Sequence, residues 1–254
     1  MKKTFSQKKS AFSLIELSIV LIIIGLLIAG ITGGASLIKS SELRSVMGEA
    51  RGYAVAVNAF YNQNGALPGD FSTAVGSVSS VTTPDSGLAL GDGDSKIEFC
   101  TTGCVTGVTV ATGSEGALAW QHLKFAGAID TAPTYTGGAT ATQTAGVHYP
   151  ASKIKAAGWG FDYNRTSLQN VVVLTSSTTT AGTVDANSLV NGTPMSVGAI
   201  LATDALSIDA KIDDGVSNTG KIRGVLSACV SGSTYAVATA GKICALSYQI
   251  DVNS

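Results

Sequence analysis

Ala11-Phe12-Ser13-Leu14-Ile15-Glu16-Leu17-Ser18-Ile19-Val20-Leu21-Ile22-Ile23-Ile24-Gly25 decides the architecture of this chain. A lone carboxylate, Glu16, heads an apolar run, and Leu17 to Ile38 holds 22 residues without a charge. As a helix rising about 1.5 Å per residue they span roughly 33 Å, enough for the hydrocarbon core of a bilayer. Lys2, Lys3, Lys8 and Lys9 precede the run. Basic flanks stay on the cytoplasmic side, so the chain after about residue 40 is expected across the membrane. A secretory signal peptide cut near Gly33-Gly34-Ala35 fits less well, since its apolar region is normally about 7 to 15 residues and carries no carboxylate at its head. A carboxylate in hydrocarbon costs about 2.5 to 3.5 kcal/mol at mid-membrane, so Glu16 is expected to serve a function.

The rest of the composition excludes several classes. With 254 residues, 45% of them hydrophobic, and a mean hydropathy of +0.32, the chain can bury a sizeable core and is not intrinsically disordered. Only 13% of residues are charged, few for a cytosolic enzyme surface. Four of the 16 basic residues lie before residue 10, leaving 12 basic against 17 acidic, so nucleic acid is not an expected partner.

Ala11 to Leu17, followed by Ser18 to Gly25, resembles the type III signal of type IV pilins and type II secretion pseudopilins. Phe begins the mature chain in that family and Glu lies five residues in, as Phe12 and Glu16 do here. The resemblance covers about residues 8 to 45. It implies cleavage after Ala11 by a membrane prepilin peptidase on the cytoplasmic side, methylation of the new amine on Phe12, and Glu16 as an assembly residue. It further implies an inner-membrane subunit with a periplasmic head that joins itself and other pilin-like subunits on an inner-membrane assembly platform, forming a pilus or a pseudopilus. Two departures stand out: Ala11 replaces the usual Gly before the cut, and Gly33-Gly34 replaces a stem proline, so a glycine-softened bend is expected. The alternative is a single-pass anchored periplasmic binding protein or enzyme that keeps its leader.

Beyond the span, Leu43, Val46, Ala50, Tyr53, Val57 and Phe60 repeat at steps of three and four, which predicts a helix with one packed face; Glu42, Arg44, Glu49 and Arg51 fall off that stripe. Asn62 to Gly65 and the Pro68-Gly69 turn should end it. Short strands and two brief helices are expected after residue 66: Glu115 to Ala126 preceded by Ser114, and Asp204 to Asp214 preceded by Thr203. Cys244, Leu246, Tyr248, Ile250 and Val252 alternate as one face of a terminal strand, with partners expected at 171–174, 222–230 and 235–238. The expected class is α+β: a long N-terminal helical stem packed on an antiparallel, pilin-like sheet head. The organisation is a leader at 1–11, a membrane and assembly helix at 12–38, an amphipathic stem at 39–62 and a globular head at 63–254.

Four cysteines, Cys100, Cys104, Cys229 and Cys244, allow three connectivities, and pairing of each close couple is the simplest on the oxidising side. Pilins have a disulfide-bounded region near the carboxyl end, and Cys229 and Cys244 occupy the corresponding place. Calcium is the one cofactor left open. Asp92 and Asp94 alternate with glycines, and Asp209, Asp213 and Asp214 place carboxylates against the dipole at a helix C-terminus. An EF-hand is excluded, because Leu90 and Thr101 would fill its first and twelfth positions. Gly215 to Lys221 nearly spells a phosphate loop, yet Ile222 stands where Ser or Thr would hold magnesium. His122 and His148 form no triad or metal spacing, so no catalytic residue is assigned and the chain is not expected to be an enzyme.

Overall fold

The computed structural model describes residues 13–70, 82–83, 87–88, 91, 93–97, 115–130, 144–147, 149–164, 167–176 and 198–251. It divides into two units, Met1–Glu42 and Leu43–Ser254. A single helix, α1 (Leu14–Asn64, 51 residues), begins in the first and continues into the second. In the first unit the large apolar side chains from Leu14 to Ile38 all stand exposed. This is one helix long and apolar enough to cross a membrane. Helical backbone continues unbroken through Gly33 and Gly34, so the two glycines do not divide the stem.

The second unit starts where α1 acquires a buried face of Leu43, Val46, Ala50, Ala56, Val57 and Phe60. The predicted stripe is therefore the packed one, with Tyr53 half-buried along it. Gly65 ends α1 with φ +69°, and its N–H donates to the Tyr61 carbonyl at 2.8 Å.

The remaining elements are β1 (Thr82–Thr83), β2 (Gly87–Leu88), α2 (Glu115–Phe125), β3 (Ala157–Asn164), β4 (Gln169–Ser176), α3 (Ala202–Ile212), β5 (Ile222–Gly224), β6 (Val230–Ser231), β7 (Thr234–Tyr235) and β8 (Leu246–Gln249). The main sheet is antiparallel with order β3-β4-β8-β5. The fold is thus α+β, a long apolar helix joined to an antiparallel sheet, as the sequence predicts.

Three local expectations differ. The β8 segment does not alternate between a buried and a wet face, because Ala245 and Ser247 are as buried as Cys244 and Leu246. Side chains on both faces of the sheet are thus covered at this segment. Tyr235 lies in β7, which pairs with β6 rather than with β8. Helix α3 starts at Ala202 with Leu201 as its N-cap and no side-chain cap bond, so Thr203 sits inside the first turn. Ser114 lies outside the described residues. The core joins the buried face of α1 to α2, α3 and the sheet, with Trp120, Trp159, Phe161 and Phe60 its largest fully buried aromatics apart from Tyr149.

Candidate functional site

Glu16 sits in the first turn of α1, and its Oε2 accepts the backbone N–H of Ser13 at 3.0 Å. This is half of a capping box: a carboxylate three residues in satisfies an orphan donor at the helix entrance and complements the positive end of the dipole. Ala11 and Phe12 lie outside the described residues.

Glu49 ties α1 to the head. One carboxylate oxygen accepts from Ser152 Oγ at 2.7 Å and Trp159 Nε1 at 2.8 Å, and the other accepts the Lys153 N–H at 2.9 Å. Its place off the apolar stripe is therefore a docking position rather than a merely solvated one. Tyr53, one turn on, meets Trp120 edge-on at 4.9 Å, and its hydroxyl is pushed up to about 12 by burial and by the Glu49 charge. Beside this anchor lies a cavity of about 660 Å³ whose walls include Glu49, Gly52, Tyr53, Ile129, Tyr149 and Pro150.

At the other end of α1, His122 is buried and stacks on Phe60 with rings 5° apart in plane. Its Nδ1 accepts the Gly69 N–H at 2.8 Å, which makes it a packed core histidine. His148 is outside the described residues. Asp70, also buried, accepts the N–H groups of Gly93, Asp94 and Ser95 at 2.8, 3.1 and 2.8 Å. The acidic turn thus points its amides at an anion. Asp94 turns its own carboxylate to Lys96, pairing with Nζ and accepting the backbone N–H at 3.0 Å. Asp92 lies outside the described residues.

Asp209, Asp213 and Asp214 do come together, with one carboxylate oxygen of each within 4.8 Å of the others. Each also has a local task. Asp209, fully buried on α3, accepts from Tyr235 Oη at 2.8 Å and from the Gly215 N–H at 3.3 Å. Burial pushes its carboxyl up to about 6 against those two hydrogen bonds, with the charges of Asp214 and Asp213 adding to the rise. The Tyr235 hydroxyl is driven far above its ordinary range, by burial first and then by Asp209. Asp213 accepts the N–H groups of Lys221 and Ile222. Asp214 accepts from Thr219 Oγ1 at 2.6 Å and the Val216 N–H at 2.8 Å, which lower its pKa in that order. The segment that nearly spells a phosphate loop therefore donates its amides to this chain's own carboxylates, Gly215 to Asp209, Val216 to Asp214 and Lys221 to Asp213. Clustered carboxylates are also the donors a hard divalent cation takes, so calcium stays an expectation here.

Cys229 and Cys244 form a disulfide across 15 residues, both fully buried. Gly224 of β5 leaves room for it: a Cβ there would stand 2.6 Å from Val230 Cγ1 and 3.3 Å from Cys229 Sγ. Cys100 and Cys104 lie outside the described residues.

The exposed apolar helix headed by a capped Glu16 can anchor in a membrane and pack against its like, and the comparisons with known proteins bear on that segment. Residues 6–32 match the prokaryotic N-terminal methylation motif. This is the prepilin signal of type IV pilins and pseudopilins. A signal of this kind supports a pilin-like prepilin and suggests a structural role. In general such a signal implies assembly with other pilin subunits and a prepilin peptidase as partners, and with the apolar helix it fits an inner-membrane anchor. Neither a curated protein nor a solved structure matches the chain.

Proposed function

We propose that this chain is the precursor of a filament subunit, cut after Ala11, methylated on the Phe12 amine and assembled through its N-terminal helix into a type IV pilus or a type II secretion pseudopilus, with its head outside the inner membrane. The observation that carries the reading is the prepilin signal at 6–32, overlapping the start of an uninterrupted helix whose large apolar side chains from Leu14 to Ile38 stand exposed. Such a surface must be covered by lipid or by other helices.

Cleavage leaves a positive amine on Phe12, and methylation keeps it basic. In the bilayer that amine and the Glu16 carboxylate are each costly alone, whereas pairing the amine of an incoming subunit with the Glu16 already in place offsets both costs in one axial register. Glu16→Gln is a clean test, because the amide oxygen can still accept the Ser13 N–H while the charge is gone. Leader removal should stay near normal while filaments, or secretion that depends on them, fall sharply. Normal filament yield from fully processed Glu16→Gln protein would contradict the assembly role.

A further inference from the structure

At the tip of the β3–β4 hairpin Leu168 is in the left-handed region, φ +57°, and 70% exposed. That conformation suits Gly or Asn, and a bulky apolar side chain there is a true outlier. Exposed leucines are ordinary one at a time, and turns often require a left-handed residue. A leucine that is both strained and held out in solvent invites a functional reading, since local strain persists where the surroundings or a task demand it.

The cavity beside Glu49 lies at the opposite end of the same hairpin. Ala151 bridges to Gly158, and the Trp159 N–H donates to the Pro150 carbonyl at 2.9 Å, so the Tyr149–Ala151 wall lies along the start of β3. From Gly158 to the last paired residue, Asn164, the strand covers roughly 20 Å at about 3.4 Å per residue. The knob and the hole are thus separated along the strand direction. Tyr53, Tyr149, Pro150 and Ile129 give the hole apolar walls for such a side chain, while Glu49 and Asp130 also line it and would repel an acidic one.

We propose that the Leu168 tip of one subunit seats in the Tyr53–Tyr149 cavity of the next copy. A knob at one end of an element and its hole at the other make a heterologous contact, and repetition of such a contact produces an open filament when the rotation does not close. The proposal rests on the filament reading and adds to it a head-to-head contact independent of Glu16.

Paired cysteines test it in the full chain, expressed in its native host. A Cβ at Gly52, in the cavity wall, meets no atom within 4 Å, so Gly52→Cys is accommodated. Filaments sheared from cells carrying Gly52→Cys with Leu168→Cys should give a ladder of oligomers on a non-reducing gel, absent from either single variant and collapsed by reductant. Filaments of the double variant without a ladder would overturn the contact and leave the filament reading intact, whereas wild-type cells with neither filaments nor pseudopilus-dependent secretion would overturn that reading itself. If the double variant does not assemble, Leu168→Asp and Leu168→Met decide. The first should lower filament yield at least tenfold with a urea midpoint of the full chain in detergent no lower than wild type, since aspartate tolerates the left-handed region better than leucine, and the second should stay near wild type. Wild-type yield from Leu168→Asp would overturn the proposal.

Discussion

Glu49→Ala should be among the more damaging single substitutions on the stem surface, although the residue lies off the apolar stripe. The change removes the acceptor of three hydrogen bonds, from Ser152 Oγ, the Lys153 N–H and Trp159 Nε1. Lys153 is exposed and Ser152 partly so, and water can replace the carboxylate at both. Trp159 is 2% exposed, and its indole N–H would be left buried without an acceptor. A hydrogen bond to a charged group is worth about 1.5–3 kcal/mol, and an orphaned buried donor costs about 1–3 kcal/mol. The loss should therefore total about 2–4 kcal/mol. Glu49→Gln keeps one acceptor oxygen and should lose about half as much. Urea unfolding of the full chain in detergent, followed by tryptophan fluorescence, is a direct assay, because the chain's two tryptophans, Trp120 and Trp159, both lie in this cluster. Titration of Tyr53 gives a second readout: without the Glu49 charge its pKa should fall from about 12 yet stay above 10, because burial is the larger cause. A Glu49→Ala variant within about 0.5 kcal/mol of wild type would refute the anchoring role, since that is the range of ordinary surface substitutions.

Replacing Cys229 and Cys244 together by alanine should cost about 3 kcal/mol on the chain-entropy model for a 15-residue loop, seen as a lower urea midpoint; a loss below about 1 kcal/mol would count against that magnitude. Asp209 titrates higher folded than unfolded, so its contribution is full below about pH 4 and lost as pH rises to about 6. Stability of the wild type should fall over that window, by at most about 1.4 kcal/mol per pH unit from this group, and Asp209→Asn should flatten the slope. Leu168→Asn should raise the urea midpoint by the equivalent of about 0.5–1 kcal/mol, because asparagine tolerates the left-handed region at less cost than leucine; a lowered midpoint would show that Leu168 is not strained.

The parts legible from sequence were those with a local, repeating signal. Twenty-two uncharged residues read as a span in any context, and the Leu43 to Phe60 stripe reads as a buried face because a 3.6-residue period has one meaning. Gly65 after Asn64 marks a helix end by its own backbone requirement. The Cys229–Cys244 pairing followed from proximity in sequence and from the family resemblance. Long-range polar partnerships carry no such signal. Glu49 finds its donors 103, 104 and 110 residues away, and Asp70 binds amides 23 to 25 residues downstream. In sequence both resemble solvated acids. The strand at Ala157–Asn164 was missed for a related reason: Ala-Gly-Trp-Gly-Phe carries two glycines, which argue against a strand, yet Gly158 is required because a Cβ there would fall on the Tyr149 ring and within 2.7 Å of the Pro150 carbonyl oxygen. At Asp209, Asp213 and Asp214 the grouping was visible but the tasks were not, since Tyr235, Thr219 and the amides of residues 215 to 222 are brought there only by the fold.

The mass of the mature amino terminus tests the central claim most directly. Protein purified from the membranes or filaments of the native host should begin at Phe12, carry one extra methyl group on that amine, and lack Met1 to Ala11. Recovery of a chain that retains Met1, or that begins near Ala35 after a signal-peptide cut, would contradict the account.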